Sequence, residues 1–248
     1  MHWHVIKLGE VSSTMDVARE LAEKGCPEGT VVVAERQTRG RGRFGRTWVS
    51  PAGGLWFSVV LMPLLPREDL SKLPLAGALA VARALKKAFG LKTELRWPND
   101  VLIRGRKVCG ILVENSFLGS EVAFSIIGVG VNANFRAADL PGDLPERATT
   151  LMDELGKRVD LDRLLETILA ELGACYEALL SGRGSELLRQ AETLMGFPRP
   201  VRLALKGGEE VSGLAIGLAG DGSLLMELPD GSVRAFHQAS ATLLADEL

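Results

Sequence analysis

Hydrophobic positions along the chain follow two periods, and glycine, proline or acidic residues punctuate most changes between them. Ser13-Thr14-Met15-Asp16 fits a capping box, Val17 and Leu21 share a helical face, and Gly25 stands where a C-cap belongs, so a helix is predicted over about residues 14–24. The β-branched run 30–35 and the apolar run 55–61, which Pro63 ends, predict two strands joined by a loop. Pro74, an apolar stretch through Leu85 and a stop at Gly90 predict a second helix. Segments 101–104, 107–114 and 121–131 are separated by Gly105-Arg106 and Gly119-Ser120, which predicts an antiparallel meander rather than a βαβ series. Beyond Asn134 a loop rich in Pro, Asp and Arg precedes helices predicted over 160–180 and 186–195.

The texture changes after Gly196. Gly207-Gly208, Asp221-Gly222 and Asp230-Gly231 are hairpin dipeptides that cut residues 200–244 into short alternating strands such as 223–228. The expected architecture is α+β: a mixed or antiparallel sheet with packed helices over 1–196, followed by a small β-barrel over 197–248. At about 50 residues the barrel is near the lower limit of independent stability, so it should lean on the larger unit.

Composition narrows the class. Of the 248 residues 46% are hydrophobic and 24% charged, which excludes wholesale disorder, a collagen-like repeat and a coiled-coil rod. Apolar stretches such as 73–82 and 122–131 are far short of the roughly 18 residues a membrane span needs. The start lacks the features of a secretory or transit leader, so a cytoplasmic location is expected. Cys26, Cys109 and Cys175 form no Cys-x-x-Cys pair and are expected to be reduced thiols. His2 and His4 sit in a terminus expected to fray, and His237 has no partner at ligand spacing, so no transition-metal site is expected.

Charge is informative through its distribution. Arg36, Arg39, Arg41, Arg43 and Arg46 crowd one segment without an acid among them; a net −2 less these five positive charges leaves the rest of the chain at −7. Gly40-Arg41-Gly42-Arg43-Phe44-Gly45 matches the dinucleotide-binding Gly-x-Gly-x-x-Gly literally, but residues 46–54 lead straight into another strand, with no room for the required helix. A Walker A loop would end in Gly-Lys-Ser/Thr, which is absent. The segment is better read as a mobile loop whose amides and guanidiniums meet polyphosphate. The alternatives are a solvated basic loop and an RNA-binding Arg-Gly segment; the latter would need a broad basic face with interleaved aromatics. Taken singly, Pro98-Asn99-Asp100 could be a turn, Lys107 a strand-edge lysine, Asn132 a strand-end amide, and Ser13 and Thr14 helix caps.

The joint order of these pieces carries more. Ser12-Ser13-Thr14-Met15-Asp16, the segment from Ala34 to Trp48, Arg96-Trp97-Pro98-Asn99-Asp100 with Lys107 and Gly110-Ile111-Leu112, and Gly128-Val129-Gly130-Val131-Asn132 resemble the biotin protein ligases over nearly the whole chain. That resemblance implies a catalytic domain like those of class II aminoacyl-tRNA synthetases with an SH3-like C-terminal barrel. It implies ATP-dependent conversion of biotin to biotinyl-5′-AMP, then transfer to a lysine of a biotin carboxyl carrier protein or domain of a carboxylase such as acetyl-CoA carboxylase. By the same resemblance, Ser13, Thr14, Gln37, Gly40, Arg41, Lys107, Gly110, Gly128 and Gly130 would hold biotin. Arg41, Arg43, Arg46, Trp48, Asn99, Lys107 and Asn132 would hold ATP, and Asp100 would help place Mg²⁺. Lys107, Arg43 and Asp100 would be catalytic, and Met15 and Arg96 depart from the usual family residues. Only eleven residues precede Ser12, so no DNA-binding domain and no DNA partner are expected; a homodimer is left open. The rival readings are a lipoate or octanoyl-carrier ligase or transferase of the same fold and, in another class, a nucleic-acid-binding module.

Overall fold

The computed structural model describes residues 1–238 and 241–243; the remaining residues of the predicted 197–248 unit lie outside it. Seven strands, β1 (His4–Val11), β2 (Thr30–Gln37), β3 (Leu55–Leu61), β4 (Glu94–Arg96), β5 (Asp100–Ile103), β6 (Arg106–Leu118) and β7 (Glu121–Val131), form one sheet in the order β1-β2-β3-β7-β6-β5-β4. The β1–β2 pair is parallel and the others antiparallel, so the sheet is mixed. The helices are α1 (Thr14–Glu23), α2 (Leu73–Phe89), α3 (Leu144–Arg147), α4 (Leu151–Leu155), α5 (Leu161–Leu180) and α6 (Gly184–Met195). Five short strands, β8 (Arg199–Leu205), β9 (Glu210–Leu218), β10 (Leu224–Glu227), β11 (Val233–Phe236) and β12 (Ala241–Leu243), make a second, antiparallel sheet in the order β11-β10-β9-β8-β12.

Every residue of β3 is buried because both faces of the sheet are covered. Alternation sorts its side chains: Leu55, Phe57, Val59 and Leu61 join the cluster built with α2 and α5, while Val60 packs with Met15, Ala18 and Ala22 of α1. The helix ends follow the punctuation. Ser13 caps α1 by accepting from the Met15 amide, and Gly90 ends α2 at φ 68°. Asp160 caps α5 by accepting from the amides of Asp162 and Arg163 at 3.0 and 3.1 Å. Asp160→Ala is expected to cost about 1 kcal/mol, read as a lower urea midpoint at unchanged m-value.

Several expectations are corrected. The terminus that should fray is β1, held by its parallel ladder to β2 across α1; its exposed Val5 and Ile6 gave it no amphipathic signal. The hairpin after β5 turns at Arg104-Gly105, one residue earlier than predicted, with φ 50° and 74°, the paired left-handed geometry of a tight hairpin. The loop beyond Asn134 contains α3 and α4, and α6 starts two residues early.

The second sheet leans on the first unit as expected. Leu203, Ala215, Leu224, Met226 and Phe236 belong to the same apolar cluster as α2 and α5. The buried Trp97 Nε1 donates to the Gly222 carbonyl at 3.0 Å, Ser71 Oγ donates to the Asp221 carbonyl at 2.6 Å, and the Leu218 amide donates to Glu192 at 2.7 Å. A Cβ on Gly222, whose φ is +83°, would stand 3.0 Å from Leu75. His237 is not isolated: its Nδ1 lies 2.8 Å from Ser223 Oγ and 3.5 Å from Asp221. No described helix is long and apolar enough to cross a membrane.

Candidate functional site

A cavity of about 470 Å³ opens where α1, β2, β6 and β7 meet the arginine-glycine loop and the segment around α3. Its first half is built on the start of α1. The Thr14 amide and hydroxyl both donate to Gln37 Oε1, at 2.9 and 3.1 Å, and Thr14 Oγ1 lies 2.8 Å from Ser58 Oγ. Gln37 Nε2 donates to Ser50 Oγ, which in turn donates to the Trp48 carbonyl. Helix cap, strand end and loop are thus tied into one polar wall, and Met15, Leu112 and Val129 supply apolar surface beside it.

The second half is cationic. Lys107 Nζ lies 2.6 Å from Asp100 and 4.9 Å from the centre of the Trp48 ring. Gly110 and Gly130 are directly paired across β6 and β7. A Cβ on Gly130 would come within 2.5 Å of Trp48 Nε1, and one on Gly110 within 3.0 Å of both Trp48 and Lys107. The two glycines therefore form a trough that receives the indole, whose Nε1 is buried without a hydrogen-bond partner. Gly128 does the same for Met15, whose sulfur would stand 2.8 Å from an added Cβ. The space at these three glycines is filled by the protein's own side chains.

The loop turns at Phe44 and Gly45, with φ 56° and 73°, bringing Arg43 and Arg46 to the cavity. Arg43 donates to the Gln238 carbonyl next to the second sheet and stacks 4.7 Å over Phe44. Burial lowers its pKa to about 10; Asp100 works against the shift and Arg46 adds to it. Arg43 therefore stays charged at neutral pH. Arg41 is committed elsewhere, forking onto Asp16 and onto Glu114 at 3.2 Å, with Arg19 on Glu114 at 2.7 Å.

The cavity wall includes every predicted site residue except Gly40. Gly40 lies behind the wall, where a Cβ would come 2.3 Å from the Trp48 carbonyl and 2.7 Å from Ser50 Oγ, so its role is to let the loop strands approach. Asn99 and Asn132 are partly engaged by backbone. Asn99 Nδ2 donates to the Ile111 carbonyl, and Asn132 Nδ2 donates to the carbonyls of Thr149 and Lys107 at 3.1 and 3.4 Å. Sequence reasoning missed Ser50 and Ser58, whose hydroxyls support Gln37 and Thr14 from outside the cavity lining, and the wall from Leu140 to Ala148 with Leu243, which long-range packing alone delivers.

Comparison with known proteins agrees with this geometry. Residues 8–132 match the biotin/lipoate A/B protein ligase family and residues 199–241 the biotin protein ligase C terminal domain. The chain is 36% identical to the bifunctional ligase/repressor BirA of Bacillus subtilis over 98% of its own length and 75% of the relative's. It is 35% identical to the biotin--[acetyl-CoA-carboxylase] ligase of Paracoccus denitrificans over 90% of this chain and 94% of that one. The biotin protein ligase of Aquifex aeolicus, solved in complex with biotin and ATP, superposes with a TM-score of 0.85 at 33% identity, covering 98% and 99% of the two chains. The chain belongs to the biotin/lipoate A/B protein ligase family and, within it, to the biotin protein ligases.

Proposed function

We propose that this chain condenses biotin with ATP to biotinyl-5′-AMP and pyrophosphate, and then passes the biotinyl group to a lysine of a biotin carboxyl carrier domain. The observation that carries the reading is the union, in one cavity, of a neutral polar wall around Thr14 and Gln37 with a cluster of Lys107, Arg43 and Arg46. Bringing a carboxylate to the α-phosphorus sets anion against anion, and fixed cations relieve that repulsion most where charge develops. The Lys107 ammonium would bridge the biotin carboxylate and the α-phosphate. Arg43 and Arg46 would take the remaining phosphates and the leaving pyrophosphate. Trp48 and Asn132 would meet the nucleotide, Asn132 through its Oδ1 because both amide hydrogens are used. Ser13, Thr14 and Gln37 would receive the biotin head group.

Asp100 is the one carboxylate among the described cavity residues. Mg²⁺ is characteristically held by one or two carboxylates together with substrate phosphates, so Asp100 fits that ion, and no group of three or more His, Cys, Asp or Glu that could hold a metal exists among the described residues. Bound there, Mg²⁺ would screen the phosphate oxygens. In the second step the carrier lysine must attack as a neutral amine; it forms the amide bond as AMP leaves, and Asp100 is placed to orient the amine or accept its proton.

The proposed division of labour assigns catalysis to residues 1–196 and closure of the nucleotide side to an SH3-like barrel over 197–248. The partner is a carboxylase carrier domain. Leaving DNA out is supported by the placement of Arg41, Arg43 and Arg46, three of the five arginines of the basic segment, in the cavity wall. Pyrophosphate release with biotin, and only background release with lipoate, is the expected result. Equal release with lipoate would assign the chain to lipoate activation, and none with either acid would leave a binding module.

A further inference from the structure

Two buried side-chain atoms among the described residues lack a hydrogen-bond partner. One, Trp48 Nε1, belongs to the cavity. The other is Oε2 of Glu154, on α4 and outside the cavity wall. The Glu154 side chain is 1% exposed, and a carboxylate taken out of water needs donors in place of its hydration. Its Oε1 accepts from Thr149 Oγ1 at 2.6 Å and from Arg106 at 3.0 Å, and an Arg104 nitrogen stands 3.5 Å from Oε2. The arginines reach in from the surface, whereas Thr149 is fully buried.

Thr149 carries the contact onward. Its amide donates to the Lys107 carbonyl at 3.0 Å, and its carbonyl accepts from Asn132 Nδ2 at 3.1 Å. Ala148 bridges to Lys107, and the Leu151 amide donates to the Asn132 carbonyl at 3.0 Å. Residues 147–150 are thus a strap sewn to the start of β6, and Arg147 and Ala148 of that strap face the cavity. A carboxylate that accepts from the Thr149 hydroxyl fixes this residue's side chain while its backbone fixes two site residues.

We propose that Glu154 is a positioning residue for the nucleotide half of the site: through Thr149 it holds the strap against Lys107 and sets the Asn132 amide. The proposal rests on the reading that ATP lies against Asn132. Glu154 is not among the residues lining the cavity, so its loss should displace the wall rather than remove a ligand contact, and displacements of about 1 Å cost rates on the order of 10²-fold.

The test uses the whole protein, with pyrophosphate release at varied ATP and saturating biotin, and biotin binding by calorimetry without ATP. Thr149→Val keeps the shape of residue 149 and removes its hydroxyl, and Thr149→Ser keeps the donor. Thr149→Val and Glu154→Gln should each raise KM for ATP about tenfold, with kcat falling less and biotin Kd within about twofold of wild type. Thr149→Ser should stay near wild type. Unchanged KM for ATP in Thr149→Val, Ser behaving like Val, or equal losses toward ATP and biotin would overturn the proposal. If Glu154→Gln does not fold, the Thr149 pair decides alone. Asn132→Ala separates the two levels: no rise in its KM for ATP would remove the nucleotide reading itself, whereas a rise there without one in Thr149→Val would remove only the role of Glu154.

Discussion

Lys107→Ala is expected to lower the rate of adenylate formation by about 10²-fold or more while the protein stays folded. The side chain pairs with Asp100 at 2.6 Å and stands beside Trp48 and Gly110 in the cavity wall. Alanine removes the charge that would face both reacting anions and leaves Asp100 without this partner, so a carboxylate would repel the incoming phosphates. The Lys107 side chain is 28% exposed and that of Asp100 18%, so the pair is largely buried and the melt has to be followed beside the rate. Single-turnover formation of the adenylate at saturating biotin and ATP, with the circular dichroism melt as control, checks the expectation. A near wild-type rate would remove Lys107 from the chemistry.

The second large effect is a loss of selectivity. A mixed anhydride of biotin and AMP acylates any free amine it meets, so retention until the carrier docks is part of the function. Arg43 would contribute to retention in two ways: as a half-buried cation in the cavity wall it would meet phosphate, and it fastens the loop to the Gln238 carbonyl. Burial already lowers its pKa, meaning that the charged form is poorly solvated and gains from an incoming phosphate. Arg43→Gly deletes both contacts and adds backbone freedom beside Phe44, so the loop should open with the adenylate still reactive. The variant is expected to biotinylate serum albumin in the presence of ATP, Mg²⁺ and biotin, whereas the wild type labels its carrier. Streptavidin blots showing equal albumin labelling by both enzymes would contradict the assignment.

Much of this architecture was legible in the sequence because local chemistry wrote it there. Ser13, Gly90 and Asp160 mark helix ends through hydrogen bonds and dihedral angles that need only their immediate neighbours. Thr14, Gln37, Arg43, Lys107 and Asn132, each at an element's end or in a distinctive motif, line one cavity. What escaped depends on distant partners. β1 has no strong amphipathic pattern and exists because β2 offers a ladder. The ion pairs of Arg41, a cavity residue, with Asp16 and Glu114 far away in sequence had no local signal. That Trp48 and Met15 pack against the glycines of β6 and β7 could not be read from those strands alone. Glu154 carries no motif, and its proposed role rests on the hydroxyl of a residue five positions away whose backbone amide donates to β6.

Leu243 lines the same cavity as Ser13, and the Gln238 carbonyl receives Arg43. On the ribosome, where the chain emerges from its N-terminus, the seven-stranded sheet and its covering helices can pack before the last strands are made. The pocket cannot be finished until residue 243 has emerged. Vectorial synthesis therefore supplies the chemical groups early and the enclosure late, so competence to hold a reactive acyl group is acquired at the end of translation of this segment.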